Sequence, residues 1–266
     1  MALLFSCIVN ATPEQDKKLF QKFYTDRFSD IPISEFSNGV YALDQDARDQ
    51  WEATLDFPPY EYALEEGEEL FDTPFRNGKN YASCFENGGI NIRQNYPTFN
   101  RQRNTLITLE LAINECRAEN GENFLAYGKG EIAKISAYMA STSEGSIINI
   151  VTPTKGNGLA DYKKGKQYFY TKRGQLNFSC ANCHLQNAGR KVRSETLSTA
   201  LGHPTHFPVY RMKWGGFGTL QRRIASCDAQ VRAQPLLGQS ETYKALEYFL
   251  TYMSNGLPIN GPASRK

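Results

Sequence analysis

Apolar residues recur at helical spacing in four places along this chain. Ile132, Ile135 and Met139 form one stripe, and Tyr243, Leu246, Leu250 and Met253 another, each recurring every three or four positions as on a helix with one buried face. Leu106, Leu109 and Ile113 make a third stripe, which Cys116 continues toward the core. Near the start, Thr12-Pro13-Glu14-Gln15 is a capping-box sequence with proline at the first helical position, followed by Leu19, Phe20 and Phe23. The pattern predicts a helix from 13 to about 27 that buries those three side chains. Residues 30–75 mix proline, acids and aromatics, as in Phe57-Pro58-Pro59-Tyr60, without sustained periodicity. They read as loops and short helices that wrap another surface.

The stripes belong to two segments that resemble each other. Gly78-Lys79-Asn80-Tyr81 precedes Cys84 as Gly165-Lys166-Gln167-Tyr168 precedes Cys180, and a lone cysteine follows each, Cys116 and Cys227. The helices that close the halves end in Tyr138-Met139-Ala140-Ser141 and Tyr252-Met253-Ser254-Asn255. A duplicated small helical domain accounts for this order; chance likeness between two amphipathic helices is the alternative. Proline and glycine between Val151 and Gly158 place the boundary there.

Composition narrows the class. With 266 residues, 40% of them hydrophobic, the chain can build one large core or two small ones and is not disordered by composition. A formal charge of +2 conceals an uneven distribution. Residues 42–72 carry eleven acids against Arg48 alone, whereas residues 185–232 carry eight bases against Glu195 and Asp228. The two regions are suited to different partners, and nothing points to nucleic acid. The N-terminal run Met1-Ala2-Leu3-Leu4-Phe5-Ser6-Cys7-Ile8-Val9-Asn10-Ala11 resembles the end of a secretory signal peptide, with Leu4-Phe5-Ser6-Cys7 as a lipoprotein box the lesser reading. No later stretch is apolar and long enough to span a bilayer. A periplasmic address is expected, where disulfides persist and c-type haems are attached.

The chemistry centres on Cys180-Ala181-Asn182-Cys183-His184. In this spacing two thiols form thioether bonds to haem vinyl groups and the adjacent imidazole ligates the iron. Zinc is the competing reading, with Cys227 or the pair His203 and His206 as its further ligands; no second CxxC is present. One covalently bound haem c is therefore expected. At the corresponding place in the first half, Cys84-Phe85-Glu86-Asn87-Gly88 has lost the second cysteine and the histidine. That half is expected to carry no haem and to pair Cys84 with Cys116 in a disulfide, two buried free thiols being the alternative. Candidates for the sixth iron ligand are His203, His206, Met212, Cys227 and Met253. Methionine is the common electron-transfer choice. Cys227 follows Arg222 and Arg223, whose guanidinium groups favour a thiolate and attract an anion.

Taken together, the haem motif, Gly202-His203-Pro204, Phe207-Pro208-Val209-Tyr210-Arg211, Trp214, Thr219-Leu220-Gln221-Arg222-Arg223 and Cys227 resemble the SoxA family, the catalytic subunit of the SoxAX cytochrome of sulfur-oxidising bacteria, in its single-haem form. The likeness runs from 78 to 256. It implies a mainly α fold of two cytochrome-c-like helical domains related by a pseudo-two-fold, with an N-terminal wrapping segment. The expected organisation is a signal-peptide remnant over 1–11, an N-terminal helix and wrapping segment over 12–75, a cytochrome-c-like domain without haem over 76–150, and a haem c domain over 151–266. The resemblance further implies L-cysteine S-thiosulfotransferase activity, in which thiosulfate is conjugated oxidatively to a carrier cysteine on a SoxYZ-like protein. It makes Cys227 the haem-ligating and catalytic sulfur, passing through a persulfide, and Arg223 the substrate-binding residue. It implies a SoxX-like cytochrome subunit as partner and a soluble cytochrome c as electron acceptor. The competing reading is a periplasmic electron-transfer cytochrome with methionine or histidine as sixth ligand.

Overall fold

A computed structural model describes residues 11–152 and 154–265. The expected signal-peptide remnant, Cys7 included, lies outside the described residues apart from Ala11. The described residues are mainly helical, with three small sheets among them. Among the described residues no helix is long and apolar enough to cross a membrane.

Helix α1 (Pro13–Arg27) starts as the sequence predicts. Gln15 N–H donates to Thr12 Oγ1, and Thr12 N–H donates to Gln15 Oε1 at 2.9 Å. Its buried face is different from the one expected: Asp16, Phe20 and Tyr24 are buried, while Leu19 and Phe23 are exposed. Asp16 sets the rotation, because its carboxylate accepts from Tyr162 Oη at 2.8 Å and from Lys166 Nζ at 2.6 Å. A buried carboxylate must keep such partners, so the helix turns to hold them and leaves Leu19 outside. The chain then runs through a 3₁₀ segment (Ile33–Ala42) and α2 (Gln45–Glu52), capped by Asp44.

Helix α3 (Glu61–Asp72) is a 12-residue α-helix where loops and short helices were expected, and it packs on α5 (Glu131–Ser141). The two backbones touch at Gly67, where a Cβ would fall 2.4 Å from the Lys134 carbonyl oxygen. The same device joins α6 (Gly156–Tyr170) to α8 (Glu241–Met253): a Cβ on Gly165 would fall 2.0 Å from the Ala245 carbonyl oxygen. Gly67 and Phe71 thus stand in the first half as Gly165 and Phe169 stand in the second. Gly78, matched with Gly165 in the sequence, instead lies in a turn at φ +80° with nothing near it.

The repeat is exact further on. Helix α4 (Leu109–Glu119), capped by Thr108, and α7 (Leu220–Gln230), capped by Thr219, both have 11 residues, and Cys116 and Cys227 stand equally far beyond their caps. A constant spacing also relates the antiparallel pair β1 (Thr98–Asn100) and β2 (Thr105–Ile107) to β5 (Val209–Arg211) and β6 (Gly216–Gly218). It relates Ser143 to Ser254 as well, each buried with its hydroxyl donating into the last turn of α5 or α8. Among the described strands, the β3 (Lys191–Val192) and β4 (Glu195–Thr196) hairpin and β7 (Ala263–Arg265), which adds to β5 in parallel, belong to the second half alone.

Among the described residues two large apolar cores follow, with a small third cluster of Ala133, Ala137 and Phe217. Phe71, Tyr81, Leu109, Ile113, Cys116, Ile132, Ile135 and Met139 make one. Phe20, Tyr24, Phe36, Phe169, Leu220, Tyr243, Leu246, Phe249, Leu250 and Met253 are in the other, so α1 and the 3₁₀ segment pack with the second half. In the first half, Cys84 and Cys116 form the expected disulfide. Buried Asn120 spans it, with Nδ2 at 3.4 Å from Cys84 Sγ and 2.8 Å from the Cys116 carbonyl oxygen.

Candidate haem and sulfur site

The haem motif runs into a single wide, π-helical turn over Asn182–Gln186, in the segment that follows α6. Ser179 opens the turn: its hydroxyl accepts from Asn182 N–H at 3.2 Å, and Asn182 Oδ1 accepts from Ser179 N–H at 2.9 Å. Helix α1 holds the other end. Tyr24 Oη donates to the His184 carbonyl oxygen at 2.6 Å, and Arg27 donates to the carbonyls of Leu185, Gln186 and Ala188. The N-terminal helix is therefore a brace for the motif, a role its own sequence does not show.

Cys180, Cys183 and His184 open onto a cavity of about 420 Å³. Its apolar wall includes Phe169, Leu220, Ile224, Leu246 and Leu250, and Arg223 and Cys227 of α7 line it too. All the residues expected at the haem are thus brought to one space. Cys84 and Cys116 belong to the other core.

His184 has the geometry of a metal ligand. Its Nδ1 lies 3.0 Å from the Ser198 carbonyl oxygen, which can only accept, so Nδ1 carries the proton and Nε2 keeps a free lone pair. Burial pulls its pKa from 6.5 down to about 4, which keeps the imidazole neutral, the form that binds iron. Burial likewise pushes the Cys180 thiol up to about 11, against the pull of Arg173. Two thiols in the attachment spacing, a neutral imidazole with one nitrogen fixed and an apolar cavity together fit a haem c.

The other sixth-ligand candidates separate on position. Met212 is 65% exposed and Met253 is fully buried in the core, and neither lines the cavity. His203 packs beside His184, ring centroids 4.4 Å apart, with its Nε2 2.9 Å from Ser198 Oγ. It shares a partner residue with His184 and stands next to it. His206 is buried against Gly39, close to Arg265.

Cys227 is half-buried, one turn beyond Arg223 on α7. Arg222 points elsewhere: its guanidinium lies 4.2 Å from the Trp214 ring centroid and donates to the Phe217 carbonyl oxygen. Arg211 and Arg265, from β5 and β7, line the cavity in its place. Buried Asp228, next to Cys227, accepts from Tyr168 Oη and Tyr243 Oη, each at 2.7 Å, and lies 3.6 Å from Arg173 Nη1. That same Nη1 is 3.5 Å from Cys180 Sγ. One network therefore fixes the end of α7 that carries Cys227 relative to the motif. Its members lie far apart in sequence, on α6, α7 and α8, and no local pattern joins them.

The family described as SoxA/TsdA, cytochrome c domain, matches residues 66–148 and 164–259 of this chain. Each match begins one residue before the glycine of a helix crossing. The chain is 54% identical, over 96% of its length and 89% of the relative's, to the L-cysteine S-thiosulfotransferase subunit SoxA of Chlorobaculum tepidum. It is 50% identical to the subunit of the same name from Allochromatium vinosum, over 97% of this chain and 92% of that one. Among solved structures it resembles a chain of SoxXA from P. pantotrophus, with a TM-score of 0.75 and 29% identity, each chain 84% covered.

Proposed function

This chain belongs to the SoxA family, and on that premise we propose that it is the subunit of an L-cysteine S-thiosulfotransferase that uses Cys227 as its reactive sulfur. The observation that carries the reading is the shared cavity: the attachment cysteines, the fixed imidazole of His184, Cys227 and Arg223 all line it. The substrate is thiosulfate, the acceptor a cysteine of a SoxYZ-like carrier, and the compartment the periplasm.

Each residue has a part that follows from its chemistry. Cys180 and Cys183 would attach one haem c, and His184 and Cys227 would hold its iron, which would supply one-electron redox chemistry. Arg223 is placed to bind the sulfonate oxygens of thiosulfate by charge-assisted hydrogen bonds while the outer sulfur meets Cys227 Sγ. A persulfide on Cys227 fits a sulfur that is both ligand and nucleophile. Joining thiosulfate to a thiol forms one sulfur–sulfur bond and releases a proton and two electrons. Those two electrons would pass to a SoxX-like partner and a soluble cytochrome c. The partner has support in the SoxXA assembly that contains the structural relative.

Cys227→Ala, assayed as the complex with carrier and oxidised cytochrome c, is expected to lose roughly 10³-fold or more in rate while keeping its covalent haem, as when a nucleophile is removed. Arg223→Gln is expected to lower kcat/KM for thiosulfate about 10- to 100-fold, the equivalent of ~1.5–3 kcal/mol for a hydrogen bond to a charged group. Full activity in Cys227→Ala would remove the sulfur-transfer role from this residue. A methionine charge-transfer band that survives that substitution would favour the electron-transfer cytochrome.

A further inference from the structure

Four arginines line the cavity: Arg173 is paired with buried Asp228, Arg223 has work in the transfer reaction, and Arg211 and Arg265 remain. Arg211 and Arg265 come from neighbouring strands in direct register, since β5 and β7 run parallel with Arg211 opposite Arg265. In that arrangement the two side chains leave the sheet on the same face.

Arg265 is only 8% exposed. Its Nη1 donates to the Ser264 carbonyl oxygen at 2.8 Å, its Nη2 to the Asn38 carbonyl oxygen at 3.0 Å, and its guanidinium lies 4.3 Å from the Tyr41 ring centroid. Among the described residues no carboxylate forms an ion pair with it. Among the described residues Arg211 pairs with Glu195, at 3.7 Å, a hairpin residue whose side chain is 59% exposed, and lies 5.5 Å from the Trp214 ring centroid. A buried guanidinium with no counter-charge is costly, and neutral carbonyls offset only part of that cost. Burial pulls Arg265 down to about 10, so it stays charged at neutral pH. The anion that balances it must come from within the cavity.

We propose that Arg265, with Arg211 beside it, seats a propionate carboxylate of the haem, so that the C-terminal strand closes the cofactor site. This rests on the haem reading above. It divides the cations of the cavity by element: Arg223, on the helix that carries Cys227, serves the substrate, and the β5–β7 pair serves the cofactor. It also gives the wrapping segment a role, because Asn38 and Tyr41 hold the Arg265 side chain in place.

The test is redox titration of the purified complex carrying Arg265→Gln or Arg265→Lys. Both variants are expected to keep the covalent haem, which depends on Cys180 and Cys183. Losing a cation beside the haem favours its oxidised form, so Arg265→Gln is expected to lower the midpoint potential of this haem, and Arg265→Lys to stay near wild type. The KM for thiosulfate should be unchanged in both. Arg211→Gln, whose guanidinium pairs with the hairpin residue Glu195, gives a second reading should Arg265→Gln fail to accumulate; a smaller fall in potential is expected. An unchanged potential in either Gln variant overturns the proposal, whether or not melting temperature falls. A raised KM with unchanged potential also overturns it, by assigning Arg265 to the sulfur oxyanion. Absence of covalent haem from the wild-type protein would instead fail the haem reading itself.

Discussion

Glu247 shows how one residue couples the two halves to pH. It is 2% exposed on α8, where it accepts from Gln221 Nε2 at 2.8 Å, and its Oε1 lies 3.9 Å from Arg93 Nη2. Burial, with the Glu110 carboxylate adding to it, raises its pKa from 4.5 to about 7, against the pull of Arg93. The folded state therefore binds a proton that the unfolded chain has released, and stability from this group falls as pH rises from about 4.5 to about 7. Melting temperature is expected to drop across that window, and Glu247→Gln to flatten the dependence and melt higher at pH 8. An unaltered pH profile in the variant would contradict this assignment. At this scale the sequence was most legible where chemistry is local. The motif named Cys180, Cys183 and His184 directly, and Cys227 followed from the family likeness. Ser198, Tyr24 and Asp228 act on those residues from distant segments, through contacts that no spacing encodes.

The helical elements owe their placement to caps and to close backbone approach. Thr219 caps α7 through the Arg222 N–H, and Thr219→Ala is expected to cost about 1 kcal/mol in denaturant unfolding. Gly165→Ala should cost more, about 1–3 kcal/mol by overpacking, because a Cβ there would meet the backbone of α8, which cannot step aside. An unchanged unfolding midpoint would mean that the α6–α8 crossing is looser than described. The stripes of α5 and α8 predicted both helices, and the capping box predicted α1. The pairing of the halves was read out of register, with Tyr138 matched to Tyr252. In the structure Tyr138 stands against Gly67 as Phe249 stands against Gly165. An amphipathic helix slid by three positions still matches apolar to apolar, so periodicity alone does not fix register. The threonine caps and the cysteines beyond them do. Helix α3 does not read as a stripe because Gly67 interrupts its packed face of Tyr60, Ala63, Leu64, Leu70 and Phe71, and its exposed positions are acidic apart from Tyr62.

Across the whole molecule, one half is held by a disulfide where the other opens a cofactor cavity. Cys116 is the positional counterpart of Cys227, and its sulfur is bonded to Cys84. Reducing that bond, or replacing both cysteines with serine, is expected to remove ~3–4 kcal/mol by freeing a closed loop in the unfolded chain, and to leave the haem spectrum unchanged. A haem spectrum that collapsed with the disulfide would make the first half part of the haem site. The asymmetry between the two equivalent cysteines is then chemical: Cys116 is held in the disulfide, and Cys227 is a free thiol. The most direct measurement is to incubate the complex with oxidised cytochrome c and thiosulfate labelled in its outer sulfur, without carrier, and to map the label by peptide mass spectrometry. Label is expected on the peptide containing Cys227 and on neither of those containing Cys84 or Cys116. An unlabelled Cys227 peptide, with the label elsewhere or released to solution while cytochrome c is reduced, would contradict Cys227 as the reactive sulfur.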